Sequence, residues 1–296
     1  MTLRSPFHAL IDNKFTRGVL QKSGSQNSMV RRYIAGEQIG DALAAASILR
    51  ESGLHTSFDY LGPDALNAAE IEVQVEQYHE AIKAISTFSS AGDLLIRLQS
   101  IGLLRSRDDA ASSLEKILAY AKERNVYVRI AQEGPEYIDD AVEIVKKATL
   151  THEGLGFFLQ ANLRRTDADL AHFETANNRI CLVKGSGAVQ PILGFNRMED
   201  IDRQFRRQMF ELMDKGKESN VVHSVCTHDS AMIDSAKVYI RKESIDMKHF
   251  EFEFLYGVRP DLQSKMVEQG FAVNILVPYG ENWYPYFSER VSDKPT

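Results

Sequence analysis

Eight short apolar segments alternate with helical patterns along this 296-residue chain, and that alternation most constrains its fold. The clearest pair, residues 250–256 and 272–278, is separated by a polar helical pattern and followed by a further one. The other six β-rich segments cover residues 55–62, 93–99, 126–132, 156–162, 180–185 and 221–228. Helical patterns between them include residues 37–51, 65–88, 110–123, 137–148, 201–215 and 229–241.

This count predicts an α/β fold, specifically a (β/α)8 TIM-type barrel. A doubly wound open sheet is the alternative, but such sheets usually carry G-x-G-x-x-G after the first strand, and that turn here reads YLGPDAL. We expect the barrel over residues 31–296, preceded by a polar lead-in with a short helix over residues 1–30. No repeat or Pro/Gly-rich linker indicates a second domain.

Composition excludes several classes of protein. The chain is 44% hydrophobic, which is enough for a sizeable core, and its net charge of -6 does not favour binding to nucleic acid or to an anionic membrane. It has neither an apolar run long enough to span a bilayer nor the apolar core of a signal peptide, so a cytoplasmic location is expected. Cys181 and Cys226 are expected to be reduced and buried, with a redox pair as the alternative.

In such a barrel, chemistry takes place at the carboxyl ends of the strands. No set of three metal ligands converges there in the sequence, so a metal site is not expected. The residues at these ends are instead polar or cationic: Asp59, Tyr60, Arg97, Gln99, Gln132, Glu133, Gln160, Asn162, Lys184, Thr227, His228, Asp229, Glu253, Tyr256 and Tyr279.

Several motifs, taken together and in order, resemble those of the proline dehydrogenases. They are YIAGEQIGDAL (33–43), DYLG (59–62), LQANLRRTDADL (159–170), LVKG (182–185), THD (227–229), FEFEFLYGVRP (250–260) and VPYGENWYPYFSERVSDKP (277–295). The resemblance implies a barrel with FAD at the carboxyl ends of its strands. It also implies oxidation of the C–N bond of proline, with electrons passed to quinone, and peripheral contact with a membrane for this transfer is the alternative to a purely cytoplasmic location.

The flavin-contacting positions of the family are largely kept. The resemblance places Gln160, Lys184, Gly185, Thr227 and His228 at these positions, and Cys181 where the family has an arginine near flavin N5. A lysine can meet the diphosphate of FAD, and an amide can hydrogen-bond the isoalloxazine edge. The alternative for Lys184 is a surface lysine, and the alternative for His228 is a structural histidine.

The substrate-side positions depart from the family. Two adjacent arginines usually bind the substrate carboxylate, whereas this chain has Glu289 and Arg290. Of the expected substrate shell, only Arg290 and Tyr286 remain. The other replacements are Arg97 for lysine, Ala131 for aspartate, Cys181 for arginine, and Gly187 and Leu276 for tyrosines. Glu289 is expected to repel a substrate carboxylate, to face a cationic amine, to pair with Arg97 or to point out of the barrel.

We therefore expect a FAD-dependent oxidoreductase that acts on proline or, in preference, on a related proline-like or other amine. Arg97, Tyr286, Glu289 and Arg290 are its predicted catalytic and substrate residues. A catalytically weak barrel that binds flavin or a partner protein is the alternative. A third interpretation is an ordinary proline dehydrogenase in which Arg97 and Arg290 form the clamp.

Overall fold

Eight parallel strands form a closed barrel. A computed structural model describes residues 27–88, 92–173, 178–185, 189–218 and 221–292 of the chain. Each strand pairs with the next in chain order, and the eighth pairs with the first over six residue pairs. The predicted (β/α)8 barrel is therefore confirmed, and the open doubly wound sheet is excluded.

Every predicted β-rich segment overlaps one of these strands, and only β5 and β8 extend beyond their segments, by one residue each. The strands are β1 (His55–Tyr60), β2 (Asp93–Ile96), β3 (Val128–Ile130), β4 (Gly156–Gln160), β5 (Arg179–Val183), β6 (His223–Cys226), β7 (Phe250–Leu255) and β8 (Val273–Tyr279). Most of them end before the predicted segment does, because the chain turns out of the sheet at the carboxyl edge. After β2, for example, the chain forms a short 3-10 helix at Leu98–Ile101.

The helices between the strands also lie close to their predicted positions. The described helices are α1 (Ser28–Arg31), α2 (Ile39–Glu51), α3 (Ala68–Thr87), α4 (Arg107–Glu123), α5 (Ile138–Ala148), α6 (Thr166–Phe173), α7 (Met198–Glu218), α8 (Ser230–Glu243), α9 (Pro260–Glu268) and α10 (Trp283–Ser292). The short α6 was not expected as a separate helix. Residues 1–26 lie outside the described part, so the boundary at residue 30 stays a prediction.

Side-chain caps fix where several helices begin. The side chains of Asn67 and Ser106 accept hydrogen bonds from backbone N–H groups of the first turns of α3 and α4. Asp229 does the same for α8, and Pro260 occupies the first turn of α9, where its missing N–H costs nothing. These caps start α8 and α9 directly beyond the carboxyl ends of β6 and β7, so the strand ends stay close to the helix N-termini.

The outward face of the strands forms the main hydrophobic core. Alternate residues of each strand point outward, because side chains in a strand change face at every position. Phe58, Ile130, Leu182, Phe252 and Ile275 are among these fully or almost fully buried residues, and they belong to one continuous apolar cluster with the helices. The helices therefore cover the barrel on the outside, which leaves the inward-facing residues to fill its centre.

The centre of the barrel is held by a buried guanidinium. Arg129 on β3 is 0% exposed, and its side chain binds the carboxylate of Glu253 on β7 and the hydroxyl of Ser57 on β1. Asn274 on β8 donates to the same carboxylate at 2.7 Å and to the same hydroxyl at 2.8 Å. Four strands are thus joined across the interior, and burial of this charge is offset by a hydrogen-bonded partner.

Gly156 on β4 makes room for this arginine. A Cβ atom at position 156 would lie 2.5 Å from the Cγ of Arg129, which is too close for two carbon atoms. The strand therefore needs glycine at this point, although glycine in a strand interior is usually unfavourable. The position was predicted as part of a strand, but the reason for its glycine is a side chain on the neighbouring strand, β3.

A second charged layer closes the amino-terminal end of the barrel. Arg179 on β5 donates to Asp93 on β2 at 2.8 Å and also binds Glu251 on β7. Ser224 on β6 donates to Glu251 at 2.9 Å. Burial raises the pKa of Asp93, and the two arginines, Arg129 and Arg179, oppose that rise. The interior below the strand ends is therefore filled with paired charges rather than open space.

None of the described helices is both long and apolar enough to cross a membrane.

Removing Arg129 should strongly destabilise the barrel. Arg129→Met would leave the carboxylate of Glu253 buried without its cation, which typically costs about 3 to 5 kcal/mol. Urea unfolding followed by circular dichroism should show this loss, and adding Glu253→Gln should recover part of it. A single variant as stable as the wild type would show that the ion pair does not hold the interior.

Candidate active site

An apolar floor lies above the Arg129 layer, toward the carboxyl ends of the strands. Its buried members are Leu95, Phe158, Cys181 and Leu276, and its half-buried members are Ala131, Val183, Cys226 and Leu255. Three of the positions that depart from the family, Ala131, Cys181 and Leu276, lie together in this floor. A further one, Gly187, lies outside the described residues. Three of the departures that the resemblance implies therefore fall on one surface, which is apolar in this chain.

Arg97 lies at the rim of this floor and is held by an aspartate. Its Nε and Nη2 atoms donate to the two carboxylate oxygens of Asp59 at 3.1 and 2.6 Å. Asp59 is 1% exposed, and its negative charge raises the pKa of Arg97. The backbone at Arg97 is fixed as well, because its N–H donates to the hydroxyl of Tyr78 at 3.2 Å. The suggested pairing of Arg97 with Glu289 is therefore wrong.

Helix α10 brings three of the predicted residues to the same rim. The guanidinium of Arg290 lies over the ring of Tyr286, 5.4 Å from its centroid, and its Nη2 is 3.0 Å from the carboxylate of Glu289. Burial raises the pKa of Tyr286, with Asp59 adding to the rise and Arg290 and Arg97 opposing it. Tyr286 is therefore close enough to the Arg97–Asp59 pair to sense its charges.

Lys184 is bound by two carboxylates. Its Nζ lies 2.7 Å from Asp202 on α7 and 2.6 Å from Asp229, the capping residue of α8. Burial lowers the pKa of Lys184, but the hydrogen bonds to both acids outweigh that effect and raise it. The same lysine lowers the pKa of Asp229. This lysine is thus part of a cluster with one more negative than positive charge, which the sequence did not indicate.

The glycine next to Lys184 makes a close approach to β4. Gly185 has φ of +89°, which favours glycine, and a Cβ atom here would collide with the side-chain amide of Asn162. Asn162 itself is 0% exposed. Nearby, the backbone N–H of Gln160 donates to the side-chain oxygen of Gln132 at 2.6 Å. The predicted Gln160 and Gly185 therefore lie together at the ends of β4 and β5.

Thr227 and His228 come directly after β6, which ends at Cys226. The hydroxyl of Thr227 accepts a hydrogen bond from the N–H of Asp229 at 3.2 Å. Burial lowers the pKa of His228 to about 4, and the positive charges of Arg290 and Arg259 add to this shift. The imidazole is consequently neutral near pH 7, with one nitrogen able to accept a hydrogen bond and the other able to donate one.

We call the opening of the barrel at the carboxyl ends of its strands the mouth. Several buried polar atoms around the mouth find no hydrogen-bond partner within the described ranges. They are both amide atoms of Asn162, Nε2 of Gln132, Nδ1 of His228 and the hydroxyl oxygen of Tyr286. Such atoms are nearly always paired in folded proteins, so those at the strand ends are candidates for contact with a ligand. Asn162 and Gln132 were visible in the sequence only as polar strand-end residues, because nothing there showed that they would be enclosed.

The described part of the chain contains no group of three histidine, cysteine or acidic side chains placed to hold a metal ion. An apolar floor with polar atoms around its edge instead suits a flat, partly polar ring system, with the arginines and Tyr286 facing a smaller molecule beside it.

Comparison with known proteins relates this site to a family. The sequence model of the family described as proline dehydrogenase matches residues 42–286. Proline dehydrogenase 1 of Bacillus subtilis (strain 168) is 30% identical over 293 residues, covering 99% of this chain and 95% of that protein. Proline dehydrogenase of Deinococcus radiodurans is 30% identical over 278 residues, covering 90% of this chain and 87% of that protein.

Solved structures support the barrel. Proline utilization A (PutA) from Bdellovibrio bacteriovorus, inactivated by N-propargylglycine, matches with a TM-score of 0.82 at 16% identity, covering 90% of this chain and 33% of that chain. A variant of PutA from Bradyrhizobium japonicum matches with a TM-score of 0.73 at 18% identity, covering 88% and 30%. The chain thus spans about one third of these larger proteins, and at such identities the similarity shows the fold alone.

Both cysteines are free thiols and should react slowly in the native protein. Burial raises the pKa of Cys181 to about 11 and that of Cys226 well above its usual range, so little reactive thiolate is present at pH 8. Titration with a chromogenic disulfide reagent should detect two thiols only after unfolding in denaturant. Rapid labelling of native protein, or fewer than two thiols in unreduced unfolded protein, would favour the redox-pair interpretation.

Proposed function

This chain belongs to the proline dehydrogenase family, and on that premise we propose that it is a FAD-dependent oxidoreductase acting on the C–N bond of proline or of a related amine. The observation that carries the proposal is the apolar floor at the carboxyl ends of the strands, surrounded by buried polar atoms without partners in the described residues. The related amine is favoured over free proline, because the replacements at Ala131, Cys181 and Glu289 remove a charged group or reverse its charge.

The residues at the mouth suit a flavin. Gln160 and Asn162 would offer amide groups to the ring edge, and His228 would offer a neutral imidazole. The absence of a side chain at Gly185 leaves the β5 turn close to Asn162 and allows a cofactor to approach the backbone. Thr227 is linked to this region through the backbone N–H of Asp229, which donates to its hydroxyl. When bound, a flavin supplies the acceptor for the hydride that leaves the carbon next to nitrogen.

Cys181 changes which hydrogen-bond donors are available beneath a flavin ring. Its thiol is 0% exposed and lies 3.5 Å from a guanidinium nitrogen of Arg129. A buried thiol with a raised pKa is a weak hydrogen-bond donor. We propose that Cys181 forms part of the surface beneath the ring and does not replace the arginine that the family uses near N5. Reduction of the flavin should therefore be less favoured than in its relatives.

The remaining residues would position the amine. Tyr286 keeps its proton near pH 7 because its pKa is raised, so its hydroxyl can donate toward the substrate. Arg97 is kept at the rim by Asp59, and Arg290 is kept there by stacking on Tyr286. The apolar floor would exclude water from beneath the flavin ring. Hydride transfer would then take place between a ring and an amine that are both held in fixed positions.

The electrons must pass on to a second acceptor. We propose a quinone or a similar two-electron acceptor, as the family resemblance implies. In this proposal the protein works in the cytoplasm, with at most peripheral contact with the membrane in which quinones dissolve.

A catalytically weak flavin-binding barrel is the second candidate. The observation that favours it is the joint replacement of Ala131, Cys181 and Leu276, which leaves no charged side chain in the floor. An anaerobic panel of amines, including L-proline, separates the two functions. Loss of flavin absorbance near 450 nm with at least one amine would support the enzyme, whereas a flavin that no amine reduces would support the weak barrel.

Flavin retention should depend on Lys184. Lys184→Ala would remove a charge-assisted contact worth about 1.5 to 3 kcal/mol and leave Asp202 and Asp229 without their shared cation, which would further disfavour an anionic diphosphate. The ratio of flavin absorbance to protein absorbance after gel filtration should fall, and Lys184→Arg should restore much of it. Full flavin content in the alanine variant would show that Lys184 pairs with Asp202 and Asp229 but does not contribute to flavin binding.

A further inference from the structure

Each arginine at the mouth is already bound to a carboxylate of the protein itself. Arg97 donates to both oxygens of Asp59, which is almost completely buried. Arg290 is paired with Glu289 at 3.0 Å. A substrate carboxylate would have to displace one of these acids or lie beside it, and like charges at close range repel each other. The mouth is therefore poorly suited to a free amino acid.

The two arginine pairs differ in how firmly they are held. The Arg97–Asp59 pair is bidentate, and Asp59 is 1% exposed, so this carboxylate is not available to a ligand. The side chain of Glu289 is 58% exposed, whereas that of Arg290 is 16% exposed and stacks on Tyr286. Glu289 can therefore turn toward a ligand while Arg290 stays in place. The Glu289–Arg290 pair is the one that a substrate would meet.

This pair presents one acceptor and one donor side by side. A carboxylate offers acceptors only, so it satisfies Arg290 and opposes Glu289. A carboxamide offers an oxygen that accepts from a guanidinium and an N–H that donates to a carboxylate. Building on the proposed function, we propose that the substrate is the carboxamide of a cyclic secondary amine, with its amide bound by Glu289 and Arg290.

The same oxidation applies to this substrate without change at the amide. The bond between hydrogen and the ring carbon next to nitrogen breaks, and its electron pair passes with the hydrogen to the flavin. The nitrogen loses its proton to solvent, and a carbon–nitrogen double bond forms. The amide group serves only for recognition, so the two electrons and the proton balance as they do for any secondary amine.

Binding of two matched ligands tests the proposal without turnover. Tetrahydrofuran-2-carboxamide and tetrahydrofuran-2-carboxylate carry oxygen in place of the ring nitrogen, so neither can be oxidised as an amine. Isothermal titration calorimetry with the flavin-loaded protein should show the carboxamide bound about tenfold more tightly than the carboxylate near pH 7.5. Glu289→Arg should reverse this preference, because two adjacent arginines then offer donors only.

Glu268→Arg on α9 is the matched control, since it makes the same change of charge at an exposed site on another helix, and it should keep the wild-type preference. If Glu289→Arg does not fold, Glu289→Gln should still reduce the preference, because the repulsion of the carboxylate is removed. Equal or tighter binding of the carboxylate by the wild type, or an unchanged preference in both Glu289 variants, would overturn the proposal.

These outcomes separate this proposal from the proposed function. A protein that retains flavin, is reduced by amines and prefers the carboxylate would contradict only the carboxamide proposal and would leave the proposed function intact. A protein that retains no flavin and binds neither ligand would contradict both.

Discussion

The buried guanidinium of Arg129 is the interaction on which the rest of the barrel depends. It joins β3 to β1 and β7 through Ser57 and Glu253, and Gly156 exists as glycine because this side chain occupies the space in front of it. Because paired polar groups fill the lower interior, the apolar residues above them form a floor near the strand ends rather than a deep core. The candidate site is therefore a consequence of how the barrel is filled.

Both arginines on the substrate side of this site are already paired within the protein. Asp59 binds Arg97, and Glu289 binds Arg290. A substrate pocket built for an anion would leave at least one of these two arginines for the substrate, since a cation already paired gains less from a second anion. The structure thus favours a ligand recognised through hydrogen bonds and apolar contact. This preference is the reason why the residues that depart from the family favour an amine other than free proline as the substrate.

Much of the fold could be predicted from the sequence, because β-strands and helices leave distinct periodicities and barrel strands are nearly continuous apolar runs. Gln160, Lys184 and His228 could be placed at strand ends for the same reason. The partners of Lys184 and Arg97 could not be predicted. Asp202, Asp229 and Asp59 come close to these two cations only in the closed barrel. Burial of Asn162 was equally hidden, since a polar residue after a strand is usually exposed.

A crystal structure of the flavin-loaded protein with tetrahydrofuran-2-carboxamide would show both ligands in place. We expect the flavin ring over the floor formed by Leu95, Phe158, Cys181 and Leu276, with Asn162 and His228 bonded to the ligands. The amide should lie between Glu289 and Arg290. A flavin bound elsewhere, or an empty floor with Asn162 and His228 bonded only to water, would contradict this expectation.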